Sequence, residues 1–456
     1  MATLYTNGMI ITVDQHRRVI RNGFILVQGN QIVAIDPTQA LPSLTLPPNM
    51  RRVDLNRSIV IPGLINGHVH LIQSLIWVSC TIWPLEVALE GEDGYVAAKL
   101  AMAEMLKTGT TCFLEPMLPV SADLGRVTTA VQETGIRACL GTLVKVPRST
   151  TQGILADARD RQAERMSGEN AVAAHRQHHG SCNDRLHVWM AAETPRGADE
   201  AGFVAIGKAS REHDIRITMH LSESFKDFKM IRRSYDVTPA QFCRNVGITG
   251  PHVVLAHMAH LDASVDLDML QADGANIVHN PTSNAKLGDG IAPIPELLGR
   301  DINICLGTDG APCNNAHDLF RDMHTAGIIH KGRLRDASVM PAEQVIEMAT
   351  INGAKALGVD RDLGKKADFV VLTPTGLSMA PFDESRVGHG GIHPATIVVH
   401  SCTGRDVDRV VVDGREVVRE GALVEIDEEQ LNQDARATIR RLQQRADIQA
   451  QPAKMN

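Results

Sequence analysis

The chain has 456 residues, of which 43% are hydrophobic and 22% are charged, proportions that are typical of a globular protein. The 46 Lys and Arg residues are outnumbered by 53 Asp and Glu residues, so no basic excess can neutralise nucleic-acid phosphates. Aromatic residues make up only 3%, too few for a base-stacking surface. We therefore expect no nucleic-acid partner and, because no run of about 18 apolar residues exists, no membrane span.

The cysteines and the start of the chain indicate where the protein works. The eight cysteines are scattered without a Cys-x-x-Cys pair, a pattern typical of reduced, buried thiols. The first eight residues lack the basic and apolar segments of an export signal. These features predict a soluble cytoplasmic protein.

Short apolar runs near the start of the chain predict strands. Residues 24–27 and 32–35 are apolar and flank Gly29-Asn30, which predicts a β-hairpin. Because a lone hairpin is only marginally stable in water, its strands need partners from elsewhere in the chain.

The middle of the chain alternates apolar runs with helical stretches, among them 94–107 and 200–213. Runs that are apolar on both faces and separated by helices predict a parallel sheet covered by helices. Eight such runs suggest a closed barrel. The predicted strands are 59–66, 110–114, 138–144, 186–192, 215–220, 253–257, 275–279 and 302–308.

Strand-like runs return near the end of the chain, at 367–372 and 396–400. A further hairpin is predicted around Asp413-Gly414, and 427–446 has the spacing of a charged surface helix. Strands from both ends are therefore expected to share one small sheet.

The predicted fold class is α/β, with a (β/α)8 TIM barrel and a small β-sandwich domain built from both chain ends. We assign residues 61–365 to the barrel, and residues 1–60 with 366–456 to the composite β domain and its C-terminal helix.

Histidine and aspartate residues stand at four predicted strand ends. His68 and His70 are two residues apart, so both can point to one ion. His220 ends the fifth strand and Asp309 follows the eighth, and barrel strands deliver such groups to one face. A lone His-x-His pair is usually no ligand, but this set of imidazoles and carboxylate forms a competent hydrolytic metal site.

Five segments resemble, in order, the motifs of the amidohydrolase superfamily. These segments are 61–70, 220–224, 255–257, 279–288 and 306–310. The closest resemblance is to the branch that holds triazine hydrolases and adenosyl-type deaminases. It implies the same barrel and two-ended β domain.

The resemblance also implies roles for individual residues. His68, His70, His220 and Asp309 are expected to hold one divalent metal per chain, with zinc as the first expectation and ferrous iron as the runner-up. The fourth predicted strand does not end in a lysine, which favours a mononuclear site.

The resemblance implies that Glu223 and His257 are catalytic, together with Asp309. Glu223 is the expected general acid and base; its alternative is a surface ion pair. His257 is expected to hydrogen-bond the attacking water rather than bind metal; its alternative is a buried structural histidine.

Departures from the branch pattern bear on the substrate. No Arg-Gly segment follows the His-x-His pair, and Glu193 stands where nucleoside deaminases of this branch carry the histidine of a Pro-His pair. An adenosyl substrate is therefore disfavoured. The candidate substrate contacts are Trp77, Trp83, Glu115, Glu193, Asn284 and Cys313. The alternative to substrate contact is core packing for the tryptophans and exposure to solvent for the acids.

The predicted function is hydrolytic displacement of an amino group from an sp² carbon of an N-heteroaromatic ring, releasing ammonia or an amine. Alternatives are a dehalogenase of a chlorinated N-heterocycle and a hydrolase of a cyclic amide. A non-enzymatic assembly protein is disfavoured because all the metal ligands remain. The expected partners are a small N-heterocyclic substrate and further copies of the chain in a homo-oligomer, a dimer or larger.

Overall fold

A computed structural model describes residues 2–76, 82–146, 158–359, 366–374, 376–380, 382–383, 387 and 393–447. The strands form two separate sheets, of eight and of nine strands. They are β1 (Ala2–Ile11), β2 (Val19–Gln28), β3 (Gln31–Pro37), β4 (Arg51–Asp54), β5 (Ile59–Pro62), β6 (Leu64–Asn66), β7 (Thr110–Leu118), β8 (Arg137–Val144), β9 (Leu186–Ala192), β10 (Ile217–Leu221), β11 (Val253–His257), β12 (Asn276–His279), β13 (Ile304–Leu306), β14 (Phe369–Leu372), β15 (Val407–Val412), β16 (Arg415–Arg419) and β17 (Ala422–Leu423).

The eight-stranded sheet is the predicted barrel. Its strands β6 to β13 follow one another in chain order, and all neighbours are parallel. The backbone N–H of Gly67 donates to the carbonyl of Leu306 at 2.8 Å, which joins the first strand to the last. The (β/α)8 barrel is confirmed.

Helices connect most of the barrel strands and cover their outer face. Their bounds are Ile82–Val87, Glu92–Lys107, Leu124–Thr134, Gly168–His178, Glu200–His213, Phe225–Tyr235, Pro239–Val246, Asp266–Asp273, Pro281–Leu287, Ile294–Leu298, Ala311–Asn314, Leu319–Leu334, Ala342–Ala349 and Ile351–Leu357. None of the described helices is long and apolar enough to cross a membrane.

The nine-stranded sheet is mixed and combines both chain ends, as expected. Its order is β17-β16-β15-β14-β5-β1-β2-β3, and β4 pairs with β1. Strands β4 and β5 run parallel to β1, whereas the other pairs are antiparallel. Strands from both chain ends enclose a hydrophobic cluster that includes Tyr5, Val60 and Phe369.

The predicted first barrel strand, 59–66, is divided between the two sheets. β5 (Ile59–Pro62) pairs with β1 and β14 in the small sheet, and β6 (Leu64–Asn66) starts the barrel. Gly63 lies at the junction, where a Cβ would be 2.0 Å from Oγ1 of Thr111. The apolar run is continuous in the sequence, so it gives no sign of this change of sheet. Glycine permits the change because it has no Cβ to clash with the closely packed Thr111.

The predicted strand at 396–400 is wrong, because these residues form the helix Pro394–His400. Pro394 occupies the first helical turn, and the His393 side chain accepts a hydrogen bond from the N–H of Ala395. The β-branched residues favour a strand locally, but proline at the start of a helix fixes a helical φ. Packing against neighbouring helices outweighs the local preference.

The remaining terminal predictions are confirmed. β2 and β3 form the first hairpin, β15 and β16 form the second, and the last helix spans Glu428–Arg445. The seven described cysteines are free, in agreement with the expected reduced thiols.

A buried ion pair joins the barrel to the small sheet. The Arg137 guanidinium donates to the Asp368 carboxylate at 2.6 and 3.0 Å and to Asp413 at 2.8 Å. Arg137 opens β8 and is only 4% exposed. This contact fixes one end of the barrel on the sheet, away from the strand ends that carry the candidate site.

Candidate active site

The predicted metal ligands all lie at the carboxyl-terminal end of the barrel. His68 and His70 follow β6, His220 is the fourth residue of β10, and Asp309 lies three residues after β13. All four side chains are buried. Because parallel barrel strands end at the same face, residues distant in sequence meet here.

A hydrogen-bonded clamp holds the loops after the first and last strands together. The side-chain Oδ1 of Asn66 accepts from the backbone N–H groups of Thr308 at 3.1 Å and His68 at 3.3 Å. The N–H of Asp309 in turn donates to the carbonyl of His68 at 2.9 Å. The two loops that carry three of the candidate ligands therefore form one backbone unit.

The structure brings the four predicted ligands together. Nε2 of His70 lies 3.1 Å from Nε2 of His220 and 3.4 Å from Oδ1 of Asp309. Nε2 of His68 is 3.6 Å from the same oxygen. Both ring nitrogens of His68 are buried without a hydrogen-bond partner in the described part of the chain. Buried polar atoms are normally satisfied, so these donor atoms fit a divalent cation.

His257 is also close to this set. Three ligand atoms, one each from His68, His257 and Asp309, lie within 4.8 Å of one another. The same is true of one ligand atom each from His68, His70 and His220. Imidazole and carboxylate donors suit zinc and ferrous iron alike.

The electrostatics keep most of these imidazoles neutral. Burial lowers the pKa of His68 to about 3, although the neighbouring Asp309 opposes the shift. Burial, followed by the charges of His68 and His70, lowers the pKa of His220 well below its usual value. Neutral imidazole is the form that binds metals.

Asp309 carries the matching negative charge. Burial alone would raise the pKa of Asp309, but the adjacent His68 imidazole outweighs burial, and the pKa is lowered well below its usual value. The carboxylate also accepts from Oγ of Ser283 at 2.5 Å and from the N–H of Gly310 at 2.7 Å. Asp309 has a φ of 65°, a left-handed conformation that costs energy for a residue with a side chain.

Glu115 supports His70. Its Oε1 lies 3.6 Å from Nδ1 of His70 and accepts from the N–H of Met117 at 2.8 Å, while Oε2 accepts from the N–H of Leu71 at 2.7 Å. Burial lowers the pKa of His70, but the Glu115 carboxylate outweighs it and the net shift is upward. Backbone N–H groups thus hold both oxygens of Glu115 beside the imidazole of His70, and the predicted substrate contact of Glu115 stays a prediction.

His257 ends β11 and faces Glu223. Its Nδ1 lies 3.2 Å from the side-chain amide nitrogens of both Asn280 and Asn284. Two amide donors at Nδ1 leave the proton of a neutral ring on Nε2. That Nε2 is 3.9 Å from Oε1 of Glu223 and has no hydrogen-bond partner in the described residues. The predicted substrate contact Asn284 therefore touches His257 through its amide.

The other predicted substrate contacts have different positions. Glu193 forms a buried ion pair with Lys145 at 2.8 Å and accepts from the N–H of Val146 at 2.5 Å. Cys313 is buried, and burial together with the charges of Asp309 and Glu223 raises the pKa of its thiol far above its usual value. The thiol thus lies beside the site in its neutral form.

The side chains of the two tryptophans predicted to contact substrate are not described by the structure. Trp77 is outside the described residues, and Trp83 falls in the helix Ile82–Val87 with a side chain that is not described. Their predicted stacking on a substrate ring stays a prediction.

Sequence reasoning missed the residues that hold the ligands. Asn66, Asn280 and Ser283 position backbone and side chains around the site. A signal existed, since each lies within four residues of a predicted ligand or a histidine at a strand end.

Most of the chain matches a known protein family. The model of the family described as "Amidohydrolase family" matches residues 59–417, which include both barrel and small-sheet strands. The chain belongs to the amidohydrolase family. The predicted resemblance and the predicted class, a hydrolase acting on non-peptide carbon–nitrogen bonds, are confirmed.

Curated relatives are similar over nearly their whole length. The 5'-deoxyadenosine deaminase of Methanothermobacter thermautotrophicus is 32% identical over 439 residues, which cover 93% of this chain and 95% of the relative. The 5-methylthioadenosine/S-adenosylhomocysteine deaminase of Acetivibrio thermocellus is 31% identical, covering 97% of this chain and 100% of the relative.

Solved structures show the same architecture. An adenosine deaminase from Xanthomonas campestris with bound zinc has a TM-score of 0.84 and 25% identity, covering 97% of this chain and 98% of that one. Atrazine chlorohydrolase from Arthrobacter aurescens, complexed with zinc, has a TM-score of 0.82 at 22% identity, with coverages of 96% and 100%. The second similarity supports the fold alone.

Proposed function

We propose that this protein is a metal-dependent deaminase that hydrolyses an amino group from an N-heteroaromatic ring. The observation that carries the proposal is the convergence of His68, His70, His220 and Asp309 beside the facing pair His257 and Glu223. A cluster of neutral imidazoles next to an acid and a hydrogen-bond donor suits attack by water on a C=N carbon.

The four converging residues would hold one divalent metal ion, with zinc as the first candidate and ferrous iron as the second. The zinc of the Xanthomonas adenosine deaminase supports this order. When bound, such an ion lowers the pKa of a ligated water toward neutrality and stabilises developing negative charge. Glu115 keeps His70 oriented, and Ser283 and Gly310 keep Asp309 oriented.

Glu223 is placed to move the protons. It takes one from the attacking water as the C–O bond forms, and it passes a proton to the substrate as the C–N bond breaks. Ammonia leaves with the C–N electron pair, and the ring becomes the oxo compound. The Nε2–H of His257 donates to the attacking oxygen, because its Nδ1 accepts from Asn280 and Asn284.

The leaving group and the substrate need a direct assay. The names of the relatives favour ammonia over chloride. The same attack on a C=N carbon would also expel a halide, and hydrolysis of a cyclic amide is the other alternative. Aminopyrimidines, aminopurines, pterins and triazines should be assayed for release of both ammonia and chloride. Ammonia from at least one class supports the proposal, whereas chloride alone contradicts it.

Nucleosides form the second candidate substrate class. The curated relatives are named for 5'-substituted adenosines, which favours an adenosine-type substrate. The missing Arg-Gly segment and the Lys145–Glu193 ion pair favour a free heterocycle. We rank the free heterocycle above the nucleoside as the candidate substrate, because these two features are observed in this chain, whereas the names belong to its relatives.

The metal site has its own test. Purified protein should contain about one zinc or iron per chain, and His70→Ala or His220→Ala should lose both metal and activity. His213→Ala, at the exposed end of a barrel helix, is the matched control and should keep both. Two tightly held metals per chain, or full activity without metal, would contradict the mononuclear site. A cytoplasmic location and a homo-oligomer remain predictions.

A further inference from the structure

Asp289 occupies a tightly fixed position in the loop after β12. Its neighbours Gly288 and Gly290 both have positive φ, 73° and 113°, where glycine is favoured. The N–H of Asp289 donates to the carbonyl of Asn284 at 2.9 Å, and its own carbonyl lies 2.5 Å from Nε2 of His260. Both backbone groups are thus held, so the fold fixes the backbone position from which the carboxyl group extends.

One oxygen of the half-buried Asp289 carboxyl group lacks a hydrogen-bond partner among the described residues. Its Oδ2 is buried without a hydrogen bond in the described part of the chain, and the described ion pairs do not include Asp289. A buried carboxyl oxygen that lacks a donor is costly, and such an exception in a folded protein calls for an explanation. A ligand that donates a hydrogen bond to this oxygen is one such explanation.

The neighbours of this carboxyl group are the candidate catalytic residues. Burial and the charge of Glu223 raise the pKa of Asp289 to about 6, and the charge of His257 opposes the shift. The charge of Asp289 in turn contributes to the raised pKa of Cys313. The backbone agrees with this placement, since the N–H of Asp289 donates to the carbonyl of Asn284, whose side-chain amide nitrogen lies 3.2 Å from Nδ1 of His257.

We propose that Asp289 binds the substrate by accepting a hydrogen bond from an N–H group of the ring, away from the amino group that leaves. This inference rests on the proposed function, and it narrows the substrate class. A free aminopurine has an N–H on its five-membered ring, which glycosylation or methylation removes. Asp289 thus favours unsubstituted amino-heterocycles over their ribosides, and a second exocyclic amino group offers a comparable donor.

Purine and 9-methylpurine are the probes that test this assignment. They differ by one ring N–H, and neither carries an amino group to release, so binding is measured without deamination. Zinc-loaded protein should bind purine about 10- to 100-fold more tightly than 9-methylpurine, the range of a hydrogen bond to a charged group. Asp289→Ala should bring the two dissociation constants within about twofold. Asp289→Asn, which keeps an acceptor oxygen, should retain part of the difference.

Asp301→Asn is the matched control. Asp301 is exposed, also has positive φ, and precedes β13 at the opposite end of the barrel, so this variant removes the same charge and should retain the full difference. The inference is overturned if the preference for purine survives in Asp289→Ala, or if the wild type binds both probes equally or neither. Ammonia release from the heterocycle panel is scored separately. Its absence refutes the proposed function, whereas its presence with an unchanged binding ratio refutes only the role of Asp289.

Discussion

Nε2 of His257 lies 3.9 Å from Oε1 of Glu223, although His257 ends β11 and Glu223 lies in the loop after β10. The backbone of His257 has a φ of 73°, and its Nδ1 is within hydrogen-bonding distance of two amides. An unfavourable backbone conformation at such a place is retained when the surrounding structure enforces it. In the proposed mechanism, His257 therefore donates a hydrogen bond and Glu223 transfers the proton.

Glu223→Gln should separate proton transfer from metal binding. Glutamine keeps the size and hydrogen bonding of the side chain but cannot carry a proton, so turnover should fall about 10²- to 10⁴-fold. Metal content should stay near one ion per chain, measured by elemental analysis alongside kcat. Glu425→Gln, an exposed acid after β17, is the control. Loss of metal with nearly normal residual turnover would make Glu223 a ligand or a bystander.

Glu115→Gln should weaken the metal site without removing a ligand. The Glu115 carboxylate accepts from two backbone N–H groups and lies beside Nδ1 of His70, whereas glutamine has only one acceptor oxygen. Loss of such a supporting contact typically lowers metal affinity about 10- to 100-fold. Competition with a chelator measures this affinity, again with Glu425→Gln for comparison. An affinity equal to the wild type would show that His70 needs no support from Glu115.

Arg137→Met should destabilise the fold and leave the chemistry in place. The substitution leaves Asp368 and Asp413 without their buried cation, and breaking a buried ion pair costs about 3–5 kcal/mol of unfolding free energy. Denaturant titration measures the loss, and Arg436→Met on the exposed face of the last helix should change stability far less. Equal losses of unfolding free energy in the two variants would mean that the Arg137 ion pair contributes no more stability than an exposed arginine.

Free amino-heterocycles should be better substrates than their ribosides or than thioether-bearing nucleosides. The basis is the missing Arg-Gly segment after His70 and the occupied carboxylate of Glu193. The comparison is kcat/KM for each base and its riboside under identical metal loading. A clear preference for adenosyl-type nucleosides would place this chain with its curated relatives in substrate and contradict the prediction.

The fold was predictable where a local pattern decides the structure. Apolar runs separated by helices predict the barrel, and Asp413-Gly414 predicts the β15–β16 hairpin. The change of sheet at Gly63 was not predictable, because it depends on the close approach of Thr111. The helix Pro394–His400 was missed because its β-branched sequence resembles a strand when its helical neighbours are ignored.

The convergence of the predicted metal ligands was predictable because barrel geometry gathers strand ends. His68 and His220 could be placed together from their strands alone, and the structure agrees. The supporting contacts could not be predicted. The hydrogen bonds of the side-chain amides to His257 and the unpartnered carboxyl oxygen of Asp289 depend on how the loops fold over the barrel. Sequence spacing carries little information about such loop contacts.

Metal-dependent ammonia release tests the central claim most directly. The protein is stripped with a chelator and assayed on the amino-heterocycle panel, then assayed again after addition of one equivalent of zinc or ferrous iron per chain. The account predicts no measurable ammonia from the stripped protein and restored release with one equivalent of metal. Equal ammonia release with and without metal, or no release from any amino-heterocycle or riboside after metal is restored, would contradict it.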